Sequence, residues 1–327
     1  MSGEAELFTL LKGVSRSFYI SVRCLPRRIR LAIALGYLLA RASDTIADAN
    51  QLPAAERIEF LRRFLSAVSR RELGDRLDLA ACLTAQPDGP EKVLLANIDR
   101  VMESLSSAPP AHRMLLNEVL TKIIGGQTLD IERFESKPGI SALPDDSALE
   151  EYTYLVAGCV GEFWTKICLL EWPNYARLPA EEMLGFGKDF GKGLQLVNIL
   201  RDYPVDLQAG RSYLPVSNLE EVVANPTLAR PEWERWRRRA SGYLEEAWRY
   251  VIAVRPWRVR FACAVPVFIG VRTLNLLGDM PENRPGIKVS RKEVRHLMLW
   301  ATGVAIFRFL EPAAYRTIFR RGLNSES

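Results

Sequence analysis

The stretch that decides the fold class spans residues 27–49 and reads RRIRLAIALGYLLARASDTIADA. Its apolar and small residues recur at spacings of three and four, which is the period of an α-helix, and no proline interrupts them. The positions with this spacing are Ile29, Ile33, Gly36, Tyr37 and Ala40. The pattern predicts one long helix with an apolar face toward a protein core.

The same helical period extends over most of the chain. Clusters of proline, glycine and polar residues separate the helical stretches, and alternating strand-like patterns are absent from the sequence. The further helical stretches are residues 56–71, 114–134, 149–171, 180–203, 231–254 and 290–309. Because no repeat or low-complexity linker divides them, we expect one all-α domain over residues 1–327.

Composition limits the classes of function. The 327 residues are 48% hydrophobic, which is enough to bury a large core. The net charge of +5 comes from 44 basic and 39 acidic residues, an excess too mild for the dense basic stripe of a nucleic-acid-binding protein. We therefore expect no nucleic-acid partner, whereas an anionic small molecule or an anionic membrane surface fits the charge.

Cysteines, histidines and apolar runs indicate the compartment. The five cysteines form no CxxC pair and there are only two histidines, which argues against a zinc site and for free thiols in a reducing compartment. The first residues lack the basic start of a signal peptide, and the longest uncharged apolar runs have 11 residues, too few to cross a bilayer. We expect a cytoplasmic protein with no transmembrane segment, either soluble or peripheral at the membrane.

The helix at 27–49 carries a polar stripe toward its C-terminal end. Tyr37, Arg41, Asp44 and Asp48 are spaced four, three and four residues apart and therefore share one helix face. Asp44 and Asp48 are like charges one turn apart, which destabilises a helix unless a cation lies between them. This pair is a candidate metal site.

A second polar stripe begins in the helical stretch at 180–203. Gln195, Asn198, Asp202 and Asp206 are spaced three, four and four residues apart. Pro204 lies between the two aspartates, removes one backbone donor and can break a helix. We therefore expect Asp206 at the start of a loop rather than on regular helix.

Two carboxylate pairs in apolar helices suit phosphate chemistry that depends on magnesium. A single Asp-xxx-Asp pair is usually a solvated helix face, but two pairs flanked by arginines and amides favour a functional site. Mg²⁺ prefers oxygen ligands and bridges carboxylates to phosphate, and arginine adds bidentate contacts to phosphate. The arginines near the aspartates in sequence are Arg41, Arg201 and Arg211. No P-loop is present, so nucleotide binding of that type is not indicated.

Four ordered motifs resemble the squalene and phytoene synthase family. They are Ser-Arg-Ser-Phe at 15–18, the first aspartate motif at 37–48, Tyr-Thr-Tyr-Leu-Val-Ala-Gly-Cys-Val-Gly at 152–161 and the second aspartate motif at 195–215. The resemblance covers about residues 7–310. It implies an isoprenoid-synthase-type helical bundle in which both aspartate motifs face a central apolar cavity.

The resemblance also implies a role for each motif residue. The side chains expected to hold Mg²⁺, or Mn²⁺ in its place, are Asp44, Asp48, Asp202 and Asp206. Those expected to bind the prenyl diphosphates are Ser15, Arg16, Ser17, Arg41, Gln195, Asn198, Arg201 and Arg211. The aromatic residues expected to steer proton transfer or shield a carbocation are Tyr37 and Tyr152. For Ser15 and Ser17, a helix N-cap is an equal alternative.

The implied reaction condenses two farnesyl diphosphates head to head through presqualene diphosphate. The segments at 44–48, 261–274 and 287–292 resemble squalene synthases, which finish with hydride from NADPH. Lys288 and Arg291 would bind the cofactor phosphates, with a plain surface role as the alternative. Dehydrosqualene, phytoene and presqualene diphosphate are alternative products. A non-catalytic lipid-binding or protein-binding module is the alternative of another class, but such modules usually lose aspartates that this chain keeps.

Three further features have both a structural and a functional explanation. The glycines that precede the second motif favour close helix packing over room for a prenyl chain; they are Gly185, Gly187, Gly191 and Gly193. The basic and aromatic run at 231–239 favours a solvated helix face with two packed tryptophans over a membrane-surface contact. Leu155 stands where eukaryotic squalene synthases carry a tyrosine, so Tyr152 is the nearer match to what bacterial relatives retain.

Overall fold

A computed structural model of the protein describes residues 2–69, 77–135, 139–278 and 287–320, without the side chains of residues 2, 16, 17 and 320. The described residues form sixteen α-helices and one pair of two-residue strands, which confirms the all-α prediction. Contacts divide the chain into two compact units, one of residues 1–137 and 166–171 and one of residues 138–165 and 172–327. The expectation of a single domain stays a prediction.

Among the described residues, the first unit contains eight complete helices. They are α1 (Ser2–Val14), α2 (Arg16–Cys24), α3 (Arg27–Ala47), α4 (Ala54–Ser69), α5 (Ala80–Ala85), α6 (Pro90–Ala96), α7 (Ile98–Ser106) and α8 (Pro110–Glu135). The helix predicted at 27–49 is α3, and it packs against α1, α4, α6 and α8. Its apolar face is buried, including Leu35, Leu38, Leu39 and Ile46. Helix α3 therefore lies at the centre of this unit.

A buried arginine from α4 holds the C-terminal end of α3. The guanidinium of Arg57 donates through Nη1 to Ala47 O at 2.7 Å and to Asn50 Oδ1 at 3.2 Å. It also pairs with Glu135 at the end of α8. A cation interacts favourably with the C-terminal end of a helix dipole, where backbone carbonyls lack partners. Arg57 therefore fixes the turn that carries Asp48.

The second unit contains the longest helix. Its elements are α9 (Asp146–Thr153), a π-helical turn (Tyr154–Gly158), α10 (Cys159–Glu171, counted with the first unit from residue 166), α11 (Ala180–Gln208), α12 (Leu219–Ala224), α13 (Arg230–Ala253), α14 (Trp257–Leu277), α15 (Arg291–Ile306) and α16 (Glu311–Tyr315). Helix α11 packs along α13 and also contacts α14 and the π-helical turn. The element that carries the second aspartate motif is thus held on several sides.

Glycines allow α11 to approach its neighbours closely. A Cβ atom on Gly161 would lie 1.7 Å from Gly187 O, and one on Gly191 would lie 2.1 Å from Ala157 O. Any side chain at these positions would overlap the facing backbone. A Cβ atom on Gly187 would lie 2.7 Å from Gly161 O, and one on Gly193 would lie 2.9 Å from Tyr243 Cβ. The packing interpretation is therefore confirmed for Gly187, Gly191 and Gly193, whereas a Cβ atom on Gly185 would meet nothing within 4 Å.

Helix α11 continues through Pro204, so the expectation that Asp206 starts a loop is wrong. Proline lacks the N–H that would bond to the carbonyl of Leu200 one turn earlier. The indole Nε1 of Trp233 on α13 donates to that carbonyl instead, at 3.3 Å. Because Trp233 is completely buried, the packing of α13 supplies the missing hydrogen bond. Asp202 and Asp206 therefore lie one turn apart on a single helix.

A short parallel strand pair follows α11. Strand β1 (Ser141–Ala142) pairs with β2 (Arg211–Ser212), and the Ser141 N–H donates to Gly210 O at 2.9 Å. Gly210 has a φ of +78°, in the left-handed region that favours glycine. This turn redirects the chain after α11 and fixes the backbone at Arg211.

The basic and aromatic run at 231–239 lies on α13. Both of its tryptophans, Trp233 and Trp236, are buried. Arg235 in the same run pairs with Asp146 and Glu232 at the surface. The interpretation as a solvated face with packed tryptophans is confirmed, and the run offers no exposed tryptophan to a membrane.

Two helical stretches are long and apolar enough to cross a membrane by length and composition alone. They are Asp146–Glu171 and Trp257–Leu277, of which the second has 72% of its most apolar window buried within the protein. Core helices of soluble proteins meet the same criterion, so these stretches argue only weakly for a membrane span. The expectation of no transmembrane segment stays a prediction.

Candidate active site

The first aspartate motif lies at the C-terminal end of α3. Asp44 belongs to the last turn of the helix, and Asp48 is the residue that caps it. The side chain of Asp44 is 46% exposed, and Asp48 is also exposed. A ligand can therefore reach both carboxylates, which the sequence predicts as metal ligands.

Arg41 lies between two carboxylates of the first unit. Its Nη2 donates to Glu91 Oε1 at 2.7 Å, and its Nη1 is 3.9 Å from Asp44 Oδ2. Both side chains of the Arg41–Glu91 pair are partly exposed. Glu91 is not among the residues predicted from the sequence, because nothing in its own short helix sets it apart. If Arg41 bound a diphosphate, its guanidinium would donate to the phosphate oxygens and to Glu91 at the same time.

A buried glutamine on α8 contacts the motif and was also missed from the sequence. Gln127 Nε2 donates to Asp44 Oδ1 at 2.5 Å, and only 8% of the residue is exposed. Its Oε1 is buried and has no hydrogen-bond partner among the described residues. One sequence signal could have identified Gln127: its amide lies among the apolar residues Ile123, Ile124 and Ile131, on the face of the helix that is predicted to be buried.

The two aspartates of the first motif disfavour each other's charge. Burial raises the pKa of Asp44 to about 6, and the charge of Asp48 adds to this rise against the opposing effects of Arg41 and Gln127. Two carboxylates that repel each other suit a hard divalent cation, which binds oxygen ligands. Among the described residues, no group of three or more His, Cys, Asp or Glu could enclose a metal ion. These residues fit Mg²⁺, which keeps several waters and binds phosphate oxygens beside a few carboxylates.

The predicted Ser-Arg-Ser-Phe motif spans the start of α2. Ser15 occupies the N-cap position and is buried, but its side chain makes no capping hydrogen bond. The side chains of Arg16 and Ser17 lie outside the described residues. Tyr37 donates to Val14 O at 3.3 Å and stacks on Phe18 with ring centroids 4.7 Å apart. Tyr37 therefore joins this motif to the aspartate-bearing helix within the first unit.

The second aspartate motif lies near the C-terminal end of α11. Arg201 donates to both oxygens of Asp202, at 2.8 and 2.6 Å, and Arg211 Nε donates to Asp206 Oδ1 at 2.9 Å. Burial raises the pKa of the Asp206 carboxyl, and Arg211 opposes the rise without cancelling it. Both predicted metal ligands of this helix, Asp202 and Asp206, thus form an ion pair with an arginine that is predicted to bind phosphate.

The remaining predicted residues of the second unit lie on α11 and α9 and at or just before the start of α15. Gln195 and Asn198 are half-buried on the helix face that leads to Asp202. Tyr152 stacks on Tyr213 with ring centroids 4.8 Å apart, just before the π-helical turn. Single π-helical turns inside α-helices are frequent at functional sites.

Of the two predicted cofactor-binding residues, Arg291 begins α15 and Lys288 lies in the segment just before it. Lys288 and Arg291 are both exposed, and Arg291 is the first residue of the helix. Exposure is compatible with phosphate binding and with the plain surface role. The aspartate motifs belong to different units, and their predicted common cavity stays a prediction.

Comparisons with known proteins agree with the sequence motifs. The squalene/phytoene synthase family model matches residues 11–294. Over 301 residues the chain is 26% identical to squalene synthase ERG9 of Candida albicans, a match that covers 87% of this chain and 64% of that protein. The chain therefore spans less than two thirds of the length of this curated relative.

Solved structures share the fold. The complex of TcSQS with a ligand has a TM-score of 0.79 and 18% identity, and the match covers 99% of this chain and 93% of that chain. A dehydrosqualene synthase in complex with a ligand has a TM-score of 0.60 and 23% identity, with 92% and 96% covered. At these identities the likeness concerns the fold alone, and it confirms the predicted isoprenoid-synthase-type helical architecture.

Proposed function

The chain belongs to the squalene/phytoene synthase family, and on this premise we propose that it is a Mg²⁺-dependent prenyltransferase that makes squalene. Its substrates would be two farnesyl diphosphates, joined head to head through presqualene diphosphate. The observation that carries the proposal is that two long helices, α3 and α11, each present a pair of carboxylates one turn apart with an arginine beside it. A non-catalytic relative has no need to keep both sets.

The aspartates and arginines would act together on the diphosphates. Asp44 and Asp48 in the first unit, and Asp202 and Asp206 in the second, would hold Mg²⁺ or, in its place, Mn²⁺. The ion would neutralise a diphosphate and so make it a better leaving group. The guanidinium of Arg201 already forms a bidentate pair with Asp202, and the same planar fork can exchange that carboxylate for phosphate oxygens.

Other side chains would position the substrates. The hydroxyl of Ser15 makes no capping hydrogen bond and would donate to a phosphate oxygen, with Arg16, Ser17, Arg41 and Arg211 as the further phosphate contacts. The amides of Gln195 and Asn198 would orient the diphosphate beside Asp202. The rings of Tyr37 and Tyr152 are each held by stacking and would shield a carbocation or guide a proton.

The final step of the proposed reaction requires NADPH. Hydride transfer to the last carbocation gives squalene, whereas proton loss gives dehydrosqualene from the same precursor. Lys288 and Arg291 would hold the phosphates of the cofactor, since both are exposed cations three residues apart along the chain.

Incubation with farnesyl diphosphate and Mg²⁺, with and without NADPH, tests the proposal. Mass analysis of extracted lipids should identify squalene only when NADPH is present. Dehydrosqualene or presqualene diphosphate at saturating NADPH would replace the proposed product and leave the aspartate chemistry standing. No release of diphosphate from any prenyl diphosphate would favour the non-catalytic module.

We also propose that the protein is cytoplasmic and touches membranes peripherally, through α15 and the residues after it rather than through 231–239. Large apolar side chains are exposed at this end of the chain, with exposed cations on the first turns of the same helix. The apolar residues are Leu299, Ile306, Phe307 and Phe309, and the cations are Arg291, Lys292 and Arg295. Apolar insertion beside basic residues is the pattern of a surface-binding helix.

Vesicle sedimentation tests this contact. The protein should sediment with phosphatidylglycerol vesicles more than with phosphatidylcholine vesicles. Replacing Leu299 and Phe309 with serine should lower sedimentation with phosphatidylglycerol vesicles, whereas replacing exposed Met114 on α8 should not. Equal sedimentation of the wild type and the double variant would refute the contact.

A further inference from the structure

Gln127 is a buried polar residue of the first unit that is only partly satisfied by hydrogen bonds. It lies on the buried side of α8, donates to Asp44 at 2.5 Å, and leaves Oε1 without a partner among the described residues. The orientation of the amide follows from chemistry, because a carboxylate accepts hydrogen bonds and would repel the amide oxygen. The unpaired acceptor therefore lies in the same planar group that touches the carboxylate.

An unpaired acceptor in a buried position is unfavourable for folding. Buried polar atoms nearly always have a partner, and each exception calls for an explanation. An apolar side chain of similar length would fill the same space between α3 and α8 without this cost. The hydrogen bond to Asp44 accounts for the amide N–H of Gln127, and a ligand that brings a donor to Oε1 would account for the other half of the amide.

We propose that Gln127 is a positioning residue for a divalent cation at Asp44 and Asp48. Its amide N–H orients the Asp44 carboxylate, and its Oε1 accepts a hydrogen bond from a water molecule carried by the cation. Mg²⁺ keeps several of its waters when bound by one or two carboxylates, so such a donor is available. The inference rests on the proposed function, since it requires the first aspartate motif to hold a cation.

Binding of Mn²⁺ to the full chain, measured by electron paramagnetic resonance, tests the inference without reference to turnover. Partners that orient metal ligands typically contribute 10-fold to 100-fold to metal affinity. We expect Gln127→Met to weaken Mn²⁺ binding by about this factor. The matched control is Gln86→Met, because Gln86 also donates to α3, but to the backbone oxygen of Thr45 at 2.8 Å. The control should leave the affinity unchanged.

Two further variants separate the possible failures. If Asp44→Asn binds Mn²⁺ as tightly as the wild type, the metal site of the proposed function fails and the role of Gln127 fails with it. If Asp44→Asn loses the ion but Gln127→Met keeps it, only the role of Gln127 is overturned.

Gln127→Glu keeps the test decisive if the methionine variant does not fold. This change places a third carboxylate beside Asp44 and Asp48. The rise in melting temperature caused by Mg²⁺ should then exceed that of the wild type, because the ion relieves a larger repulsion. An equal or smaller rise would overturn the inference.

Discussion

Replacing Arg57 with methionine should destabilise the first unit through the end of α3. The methionine keeps most of the buried stem of the side chain but removes every polar contact. These contacts are the hydrogen bonds to Ala47 O and Asn50 Oδ1 and the ion pair with Glu135. The helix end that carries Asp48 then loses the cation that Arg57 places on its carbonyls.

The size of the effect follows from the exposure of each partner. Hydrogen bonds from a charged group contribute about 1.5–3 kcal/mol, and the carbonyl of Ala47 loses such a bond. The side chain of Glu135 is 37% exposed, so water can replace Arg57 there and the loss is about 0.2–1 kcal/mol. Arg57 Nε is itself buried and has no hydrogen-bond partner within the described part of the chain, so removing it recovers part of the cost. We expect the free energy of unfolding to fall by about 2–3 kcal/mol.

Urea denaturation followed by circular dichroism measures this change. The matched control is Arg62→Met on the same helix, because Arg62 is 74% exposed and pairs with Glu59 one turn earlier. That control should change the free energy of unfolding by less than about 0.5 kcal/mol. Equal midpoints for the two variants would refute the assignment of Arg57 as the residue that holds the end of α3.

Three further changes test other parts of the structure. Asp44→Asn should abolish diphosphate release. Without metal, the variant should also be more stable than the wild type at pH 7.5, and the difference should disappear near pH 4. The reason is that the pKa of Asp44 is raised to about 6 in the folded protein, so the wild type loses stability as pH rises toward and through that value. Melting curves at both pH values check this, and a stability difference independent of pH would contradict it. Gly161→Ala should lower the free energy of unfolding by about 3 kcal/mol or more, since its Cβ atom would overlap the backbone oxygen of Gly187. Gly185→Ala should raise the free energy of unfolding by about 0.4–1 kcal/mol. Urea midpoints in the opposite order would disprove the close approach of Gly161 to Gly187. Replacing Lys288 and Arg291 together with alanine should raise the KM for NADPH and leave presqualene diphosphate formation unchanged; an unaltered KM would remove both residues from the cofactor site.

The sequence predicts helices best where a helix has one buried face. Helix α3 was expected at 27–49 and spans Arg27–Ala47, because its apolar residues repeat with the helical period. Helix α14 is buried on nearly all sides, so its apolar residues show no such period, and periodicity does not identify it. The end of α11 is misjudged for another reason, since the partner that compensates for Pro204 comes from a different helix.

The residues of the candidate site also fall into those that the sequence predicts and those that it does not. The spacing of Asp44 and Asp48, and of Asp202 and Asp206, is local and can be read from the sequence. Gln127 contacts Asp44 across 83 residues, and Glu91 contacts Arg41 across 50, so these partners are set by how the helices pack. Local spacing therefore identifies the groups that would bind a ligand, but not those that orient them.

The hydrogen bond from Trp233 on α13 to the carbonyl of Leu200 on α11 means that these two helices should be transferred together when chimeras of related proteins are made. A chimera that received residues 195–215 without this tryptophan would carry Pro204 between Asp202 and Asp206 and would leave the Leu200 carbonyl without a donor. A chimera that received α13 alone would bury an indole N–H that meets a carbonyl already bonded within its helix. Designers who move the second aspartate motif into another scaffold must therefore move the tryptophan with it.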